Sequence, residues 1–164
     1  MWTREKDVLW ALKETGGSHR HICRLAWVCE QTLTLALKPL GLCSLAQYMN
    51  HSQSNHLLTN HQRLSIVEKV ADALQFLHGH KFCHNDVQPS NIVLGENLMD
   101  DVFLVDFGQA CKLSPNGQQL TSIVSVVDPP LRYAPPEVLG GSRELQDGAP
   151  VTRGCEVGAS TIMT

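Results

Sequence analysis

Two short stretches decide the fold: His84-Asn85-Asp86-Val87-Gln88-Pro89-Ser90-Asn91 and Val105-Asp106-Phe107-Gly108. Between them lie two apolar runs, Ile92 to Leu94 and Val102 to Val105, separated by the turn-forming residues 95–101. Apolar runs around such a turn predict a β-hairpin. Asp86, Asn91 and Asp106 then sit on loops flanking one hairpin, where their side chains can converge. Oxygen donors of this kind suit a hard cation such as Mg²⁺, which takes few protein ligands and keeps waters or phosphate oxygens. A carboxylate beside that cation can accept or orient the proton of an attacking hydroxyl. Together these parts describe phosphoryl transfer.

Composition sets the outer bounds. The 164 residues are 43% hydrophobic and 18% charged, with a net charge of −3. This is enough chain for one domain with its own core, too apolar and too weakly charged for a disordered chain. No apolar run approaches the roughly 18 residues of a membrane span. The start, MWTREKDVLWALKE, has no signal-peptide pattern, and no basic block argues for nucleic acid. The six cysteines are scattered without a CxxC pair, which suits thiols in a reducing compartment. The cytoplasm or nucleus is the expected location. His19, His21, His78, His80 and His84 lack the neighbours of a zinc site.

Working outward, Thr3 to Lys13 reads as a helix with Val8, Leu9 and Leu12 inside, ended by Gly16 and Gly17. Ile22 to Val28 and Thr32 to Leu37 read as strands. Ser44 to Met49 suggests a short helix, and the polar stretch 50–60 a loop. The longest helix is expected over Asn60 to His78. Thr59 and Gln62 have capping-box spacing. Leu64, Val67, Ala71, Leu74 and His78 form one apolar stripe, which Ile66, Val70, Ala73 and Leu77 widen, and Gly79 is the expected stop. From Asp106 to Glu137 no long periodic segment occurs, and loops of that length are usually functional.

DFG alone arises by chance. The ordered set HxDxxxxN, apolar hairpin, DFG and then Tyr133-Ala134-Pro135-Pro136-Glu137 is far more specific. On these motifs the chain resembles the eukaryotic protein kinases, whose catalytic loop reads H-R-D-L-x-x-x-N. The resemblance implies an α+β, protein-kinase-like fold, truncated: mostly the helical C-terminal lobe, with a partial N-terminal-lobe sheet. It covers about residues 4–139, with 140–164 a weakly patterned remnant leading toward the family's helix F. It implies ATP and Mg²⁺ as cofactors and transfer to serine or threonine hydroxyls of a protein substrate. Asp86 takes the catalytic-base position, and Asn91 and Asp106 the metal-ligand positions. Gln88 takes a phosphate-facing position, and Glu5 that of the helix glutamate which pairs with a strand lysine. Leu37 falls near the gatekeeper, and Lys38 and Leu40 fall along the adenine site. The segment between DFG and PPE corresponds to the activation segment.

The departures carry information of their own. Asn85 replaces an arginine that would meet a phosphorylated activation segment. Gln88 replaces a lysine, so a charge-assisted contact is lost. Only four residues precede Glu5, leaving no room for a glycine-rich loop or the lysine strand. Leu9 to Lys13 echoes that strand's V-A-I-K, but its helical spacing favours a helix. The chain therefore reads as the centre of a kinase domain with an exposed strand edge. Two other functions stay open: a pseudokinase or truncated interaction module without turnover, and a small-molecule phosphotransferase of the choline-kinase or aminoglycoside-kinase type. Ser114, Thr121, Ser122 and Ser125 read as solvated loop hydroxyls, and His84 as a residue that orders its loop. Cys83 and Cys111 flank the motifs; oxidation sensitivity is open to them, and the role of buried small side chains is the expected one.

Overall fold

A computed structural model of the chain describes residues 2–38, 41–51, 58–97 and 100–113. The expectations placed on Leu40, on the PPE segment and on residues 114–164 lie outside the described residues. Within them the fold is α+β, in the order α1 (Trp2–Glu14), β1 (Arg24–Cys29), β2 (Thr34–Lys38), β3 (Cys43–Ser44), α2 (Leu45–His51), α3 (Asn60–Gly79), β4 (Phe82–Cys83), β5 (Ile92–Leu94), β6 (Val102–Leu104) and β7 (Cys111–Lys112). No helix among the described residues is long and apolar enough to cross a membrane.

Helix α1 buries Val8, Leu9 and Leu12, the three residues of its apolar stripe. Its end follows from glycine chemistry. Gly16 adopts φ 69°, and the N–H groups of Gly17 and Gly16 close back onto Leu12 O and Lys13 O at 2.9 and 3.1 Å. This is a Schellman cap, which a side chain at Gly16 would strain. Lys13 lies inside α1, so the echo of a lysine strand there is helical.

Strands β1 and β2 pair antiparallel from Cys29↔Thr34 to Arg24↔Lys38, with an irregularity between Leu25 and Trp27. Among the described residues β1 and β2 form a two-stranded sheet. The expected hairpin of β5 and β6 is present, in register Ile92↔Leu104 to Leu94↔Val102, and β3 adds to its β5 side. Strand β6 ends at Leu104, one residue before the expected Val105. A single parallel bridge, Ile22↔Leu104, joins the approach to β1 onto β6. Leu104 N–H donates to His21 O (2.8 Å) and Cys23 N–H donates to Leu104 O (3.1 Å).

Helix α3 carries the expected capping box: Thr59 accepts from Gln62 N–H (3.2 Å) and Gln62 Oε1 accepts from Thr59 N–H (2.9 Å). Such a cap contributes ~1 kcal/mol. The buried face contributes more, at roughly 1.5–3 kcal/mol for each large aliphatic side chain. That face is Ile66, Val70, Ala73 and Leu77. The stripe through Leu64 is its flank, with Leu64 57% exposed and Ala71 exposed. Helix α3 ends at Gly79, where the stop was expected, but the left-handed conformation falls two residues later on Lys81 (φ 64°), whose N–H reaches His78 O (3.0 Å). Helix α2 runs two residues past the expected Met49.

His21 is packed inside this frame, 3% exposed. Its Nδ1–H donates to Val102 O (2.9 Å), while Nε2 is buried with no partner among the described residues. Burial holds its pKa below the ordinary histidine value, and the nearby charges of Arg20, His19 and Lys69 act the same way. A proton is thus easier to add to the unfolded chain than to the folded one. Stability should fall as pH drops below about 6.5, the unfolded value. Urea unfolding at pH 7.5 and pH 5.5 checks this: the wild type should lose more stability on acidification than His21→Phe. An equal loss in both would exclude His21 as a source.

Candidate active site at the two loops flanking the hairpin

The loop after β4 is built around His84, which is fully buried. Its Nε2 contacts Val105 O (3.0 Å), and its Nδ1 accepts from Asp86 N–H (3.3 Å). A carbonyl only accepts and an N–H only donates, so the ring carries its proton on Nε2. The ring edge packs on Phe107 at 4.8 Å between centroids. His84 therefore ties the HNDVQPSN loop to the strand end that carries Asp106, the ordering part expected of it. Asn85 takes φ 64°, a conformation asparagine tolerates. Its amide donates to Gln109 O and to Cys111 Sγ, both at 3.2 Å.

Asp86 is the acceptor centre of the loop. Its Oδ1 accepts from Gln88 Nε2 (2.9 Å) and its Oδ2 from Asn91 Nδ2 (2.8 Å). Asn91 Nδ2 also reaches Asp86 O (2.9 Å). Each carboxylate oxygen is thus held by a neutral amide. Pro89 to Asn91 form a single turn of 3-10 helix with Pro89 at its start, and Asn91 is 6% exposed. With Nδ2 committed to Asp86, Oδ1 is the Asn91 atom left to meet a cation. Asn91 O accepts from Val105 N–H (3.0 Å), so the two loops are stitched at the residue before Asp106.

Asp106 stands at φ 61°, ψ 79°, and its Oδ1 accepts from Gly108 N–H (3.1 Å), capping the 3-10 turn of Phe107–Gln109. Glu5 approaches this turn from α1, close enough for the Phe107 backbone N–H to favour its charged form. Burial pushes the Glu5 carboxyl above the ordinary carboxylate range, and the like charge of Asp106 adds to it. Cys23 lies in the same field. Burial first, then the charges of Glu5 and Asp106, push its thiol up to about 12. A carboxyl held up by a neighbouring acid marks a place where a cation is welcome.

The structure thus joins Asp86, Gln88 and Asn91 directly, links Asn91 to the Asp106 strand through the backbone, and brings Glu5 against Asp106 and Phe107. Leu37 and Lys38 stand apart, at the end of β2. Leu37 is half-buried against the core opposite Leu25, and Lys38 is exposed. The Asn85 amide bridge to Gln109 and Cys111 was not legible in the sequence, where only the loss of the arginine charge could be read. The donor set of Asn91 and Asp106, one amide oxygen and one carboxylate, fits Mg²⁺ in number and hardness.

The profile of the protein kinase domain family matches residues 3–151. The chain is 33% identical over 127 residues to U-box domain-containing protein 70 of Oryza sativa subsp. japonica, covering 74% of the chain and 15% of that relative. It is 26% identical over 134 residues to the maternal embryonic leucine zipper kinase of Danio rerio, covering 82% of the chain and 19% of the relative. It is 28% identical over 128 residues to the human phosphorylase b kinase gamma catalytic chain, liver/testis isoform, covering 78% and 29%. The chain spans less than a third of the length of these relatives. A loop whose aspartate is clasped by its own asparagine, stitched to a DFG turn capped by its own aspartate, and a family match over most of the chain place this protein in the protein kinase domain family.

Proposed function

We propose that this chain supplies the catalytic centre of a kinase that transfers the γ-phosphoryl group of ATP to serine or threonine hydroxyls of a protein. The observation that carries this reading is the Asn91 clasp: its Nδ2 on Asp86 and its carbonyl on Val105 hold the loop aspartate in fixed relation to Asp106. Asn91 and Asp106 would hold Mg²⁺, which neutralises phosphate charge when bound. Asp86 would accept the hydroxyl proton. Glu5 would position the DFG turn through Phe107. The sequence Gln88-Pro89-Ser90-Asn91 is nearer the serine/threonine type than the tyrosine type. Among the adenine contacts, Leu37, Lys38 and Leu40 belong to this proposal.

One observation favours a second reading, a binding module with little turnover. Gln88, where the family has a lysine, spends its donor on Asp86 Oδ1 and brings no charge to a phosphate. Charge stabilisation supplies most of the rate in such sites. Equilibrium titration of the 164-residue chain with ATP, with Mg²⁺ and with EDTA, tests the shared claim. Saturable binding that needs Mg²⁺ supports both readings, and affinity indifferent to Mg²⁺ removes both. Phosphotransfer by the same polypeptide should stay near background. Asp86-dependent labelling of a protein substrate well above background would discard the second reading.

A further inference from the structure

Cys83 and Cys111 face each other across the β4–β7 pair, in direct register. Cross-strand partners carry their side chains on the same face. Both are buried, 1% and 6% exposed, and with Leu113 they form a small cluster separate from the main core. Leu113 N–H donates to Lys81 O (2.7 Å), which fixes the ladder. Counting along it makes Cys83 and Cys111 a hydrogen-bonded pair, with Cα atoms roughly 5.5 Å apart. That separation lies inside the range of about 4.4–6.8 Å that a disulfide spans. The Cβ atoms of a hydrogen-bonded pair lie toward the wide end of the cross-strand range, roughly 5.5 Å apart, about an ångström or more beyond the ~3.5–4.5 Å a relaxed disulfide prefers. Closing the bond draws the two short strands together by about an ångström and leaves it strained and easily reduced, the character of labile rather than structural disulfides.

We propose that Cys83 and Cys111 are a reversible oxidation site, closing to an intrachain disulfide under a peroxide. Cys111 is the residue attacked first. It is the more exposed of the two, and Asn85 Nδ2 supplies a donor to its sulfur. Its thiolate attacks the peroxide O–O bond, forming sulfenic acid and releasing water. The Cys83 sulfur then displaces the hydroxyl from that sulfur, forming the S–S bond and releasing a second water. Two thiols are oxidised and one hydrogen peroxide is reduced to two waters. A thiol reductant reverses the bond. The disulfide takes the Cys111 sulfur from Asn85 and locks the strand entering His84–Asn91 to the strand leaving Asp106–Gly108. The other described cysteines lack this geometry. Cys29, whose thiol is held below its ordinary value chiefly by the Thr32 hydroxyl, faces Thr34 across its ladder.

The site does not depend on phosphoryl transfer, so its test is independent of that reading. The reduced chain is treated with hydrogen peroxide under native conditions, remaining thiols are alkylated, and peptides are mapped by mass spectrometry. The expected product is a Cys83–Cys111 cross-linked peptide pair, lost on adding dithiothreitol and no longer selected when oxidation is run in urea. In Cys83→Ser, and in Cys83→Ala should the serine fail to fold, Cys111 should accumulate as a dimedone-trapped sulfenic acid. The proposal is overturned if Cys83 and Cys111 both stay alkylatable while Cys29 oxidises. It is equally overturned if Cys111 pairs with Cys29, Cys43 or Cys155 in place of Cys83.

Discussion

Phe107→Ala should destabilise the chain by about 3–5 kcal/mol, the range for removing a buried aromatic side chain. Phe107 is fully buried and packs against the edge of His84. Its turn is capped by Asp106 and packs against helix α1. The benzyl group therefore joins three things at once: the loop after β4, the turn after β6 and helix α1. Removing it leaves a cavity where those three meet, and the relaxation that would fill it must move the site. Natural domains have only about 5–15 kcal/mol of stability, so this single change should leave a largely unfolded chain at moderate urea. Urea unfolding followed by tryptophan fluorescence checks it. Leu64→Ala is the control: at 57% exposure it should cost about 0.5 kcal/mol or less. Similar costs for the two variants would mean that the core is not where the fold puts it.

The second large effect is expected at Asp106. Asp106→Asn should weaken Mg²⁺-dependent ATP binding by on the order of tenfold or more, ~1.4 kcal/mol, with little change in stability. Charge and shape are separable at this position. Asparagine is one of the few residues that adopt the left-handed conformation found here (φ 61°). Its side-chain oxygen can still accept from Gly108 N–H, as Asp106 Oδ1 does. What disappears is the negative charge offered to the cation. Glu5 provides an internal check. Asp106 is one of the two groups of cause that hold the Glu5 carboxyl high, the other being burial. In Asp106→Asn the Glu5 titration, followed by carboxyl-carbon NMR, should move downward while staying above its ordinary range. Unchanged affinity in a variant whose Glu5 titration has moved would show that Asp106 sits at its assigned place but binds no metal.

Much of this was legible in the residues themselves. The stripe of Val8, Leu9 and Leu12, the Thr59–Gln62 box and the Ile92–Val105 hairpin each rest on local chemistry, and the structure has them where spacing put them. The errors have physical causes. In α3 two apolar stripes are adjacent, and only the packing partner decides which one is inside. Ile66, Val70, Ala73 and Leu77 face the core, while Leu64 looks out. Helix α3 does end at Gly79, but the φ > 0 that a terminal glycine would supply falls on Lys81, and a non-glycine there gives no advance signal. For the site, the motif spacing placed Asp86, Asn91 and Asp106 on neighbouring loops. It could not show that Asn91 grips Asp86 with its amide and Val105 with its carbonyl. Nor could it show that Asn85 reaches Cys111, a contact between residues far apart in the chain that depends on how β7 returns beside β4.

The central claim is that Asn91 and Asp106 hold one divalent cation beneath a nucleotide, with Asp86 beside them. Mn²⁺ in place of Mg²⁺ tests it most directly, through paramagnetic broadening of backbone amide NMR signals in the presence of ATP. The account predicts selective loss of the signals of Asp86, Asn91 and Asp106 to Gly108 at low Mn²⁺, reversed by excess Mg²⁺ and absent in Asp106→Asn. Broadening centred on other acidic residues, such as Asp100 and Asp101, with those signals intact, would contradict it.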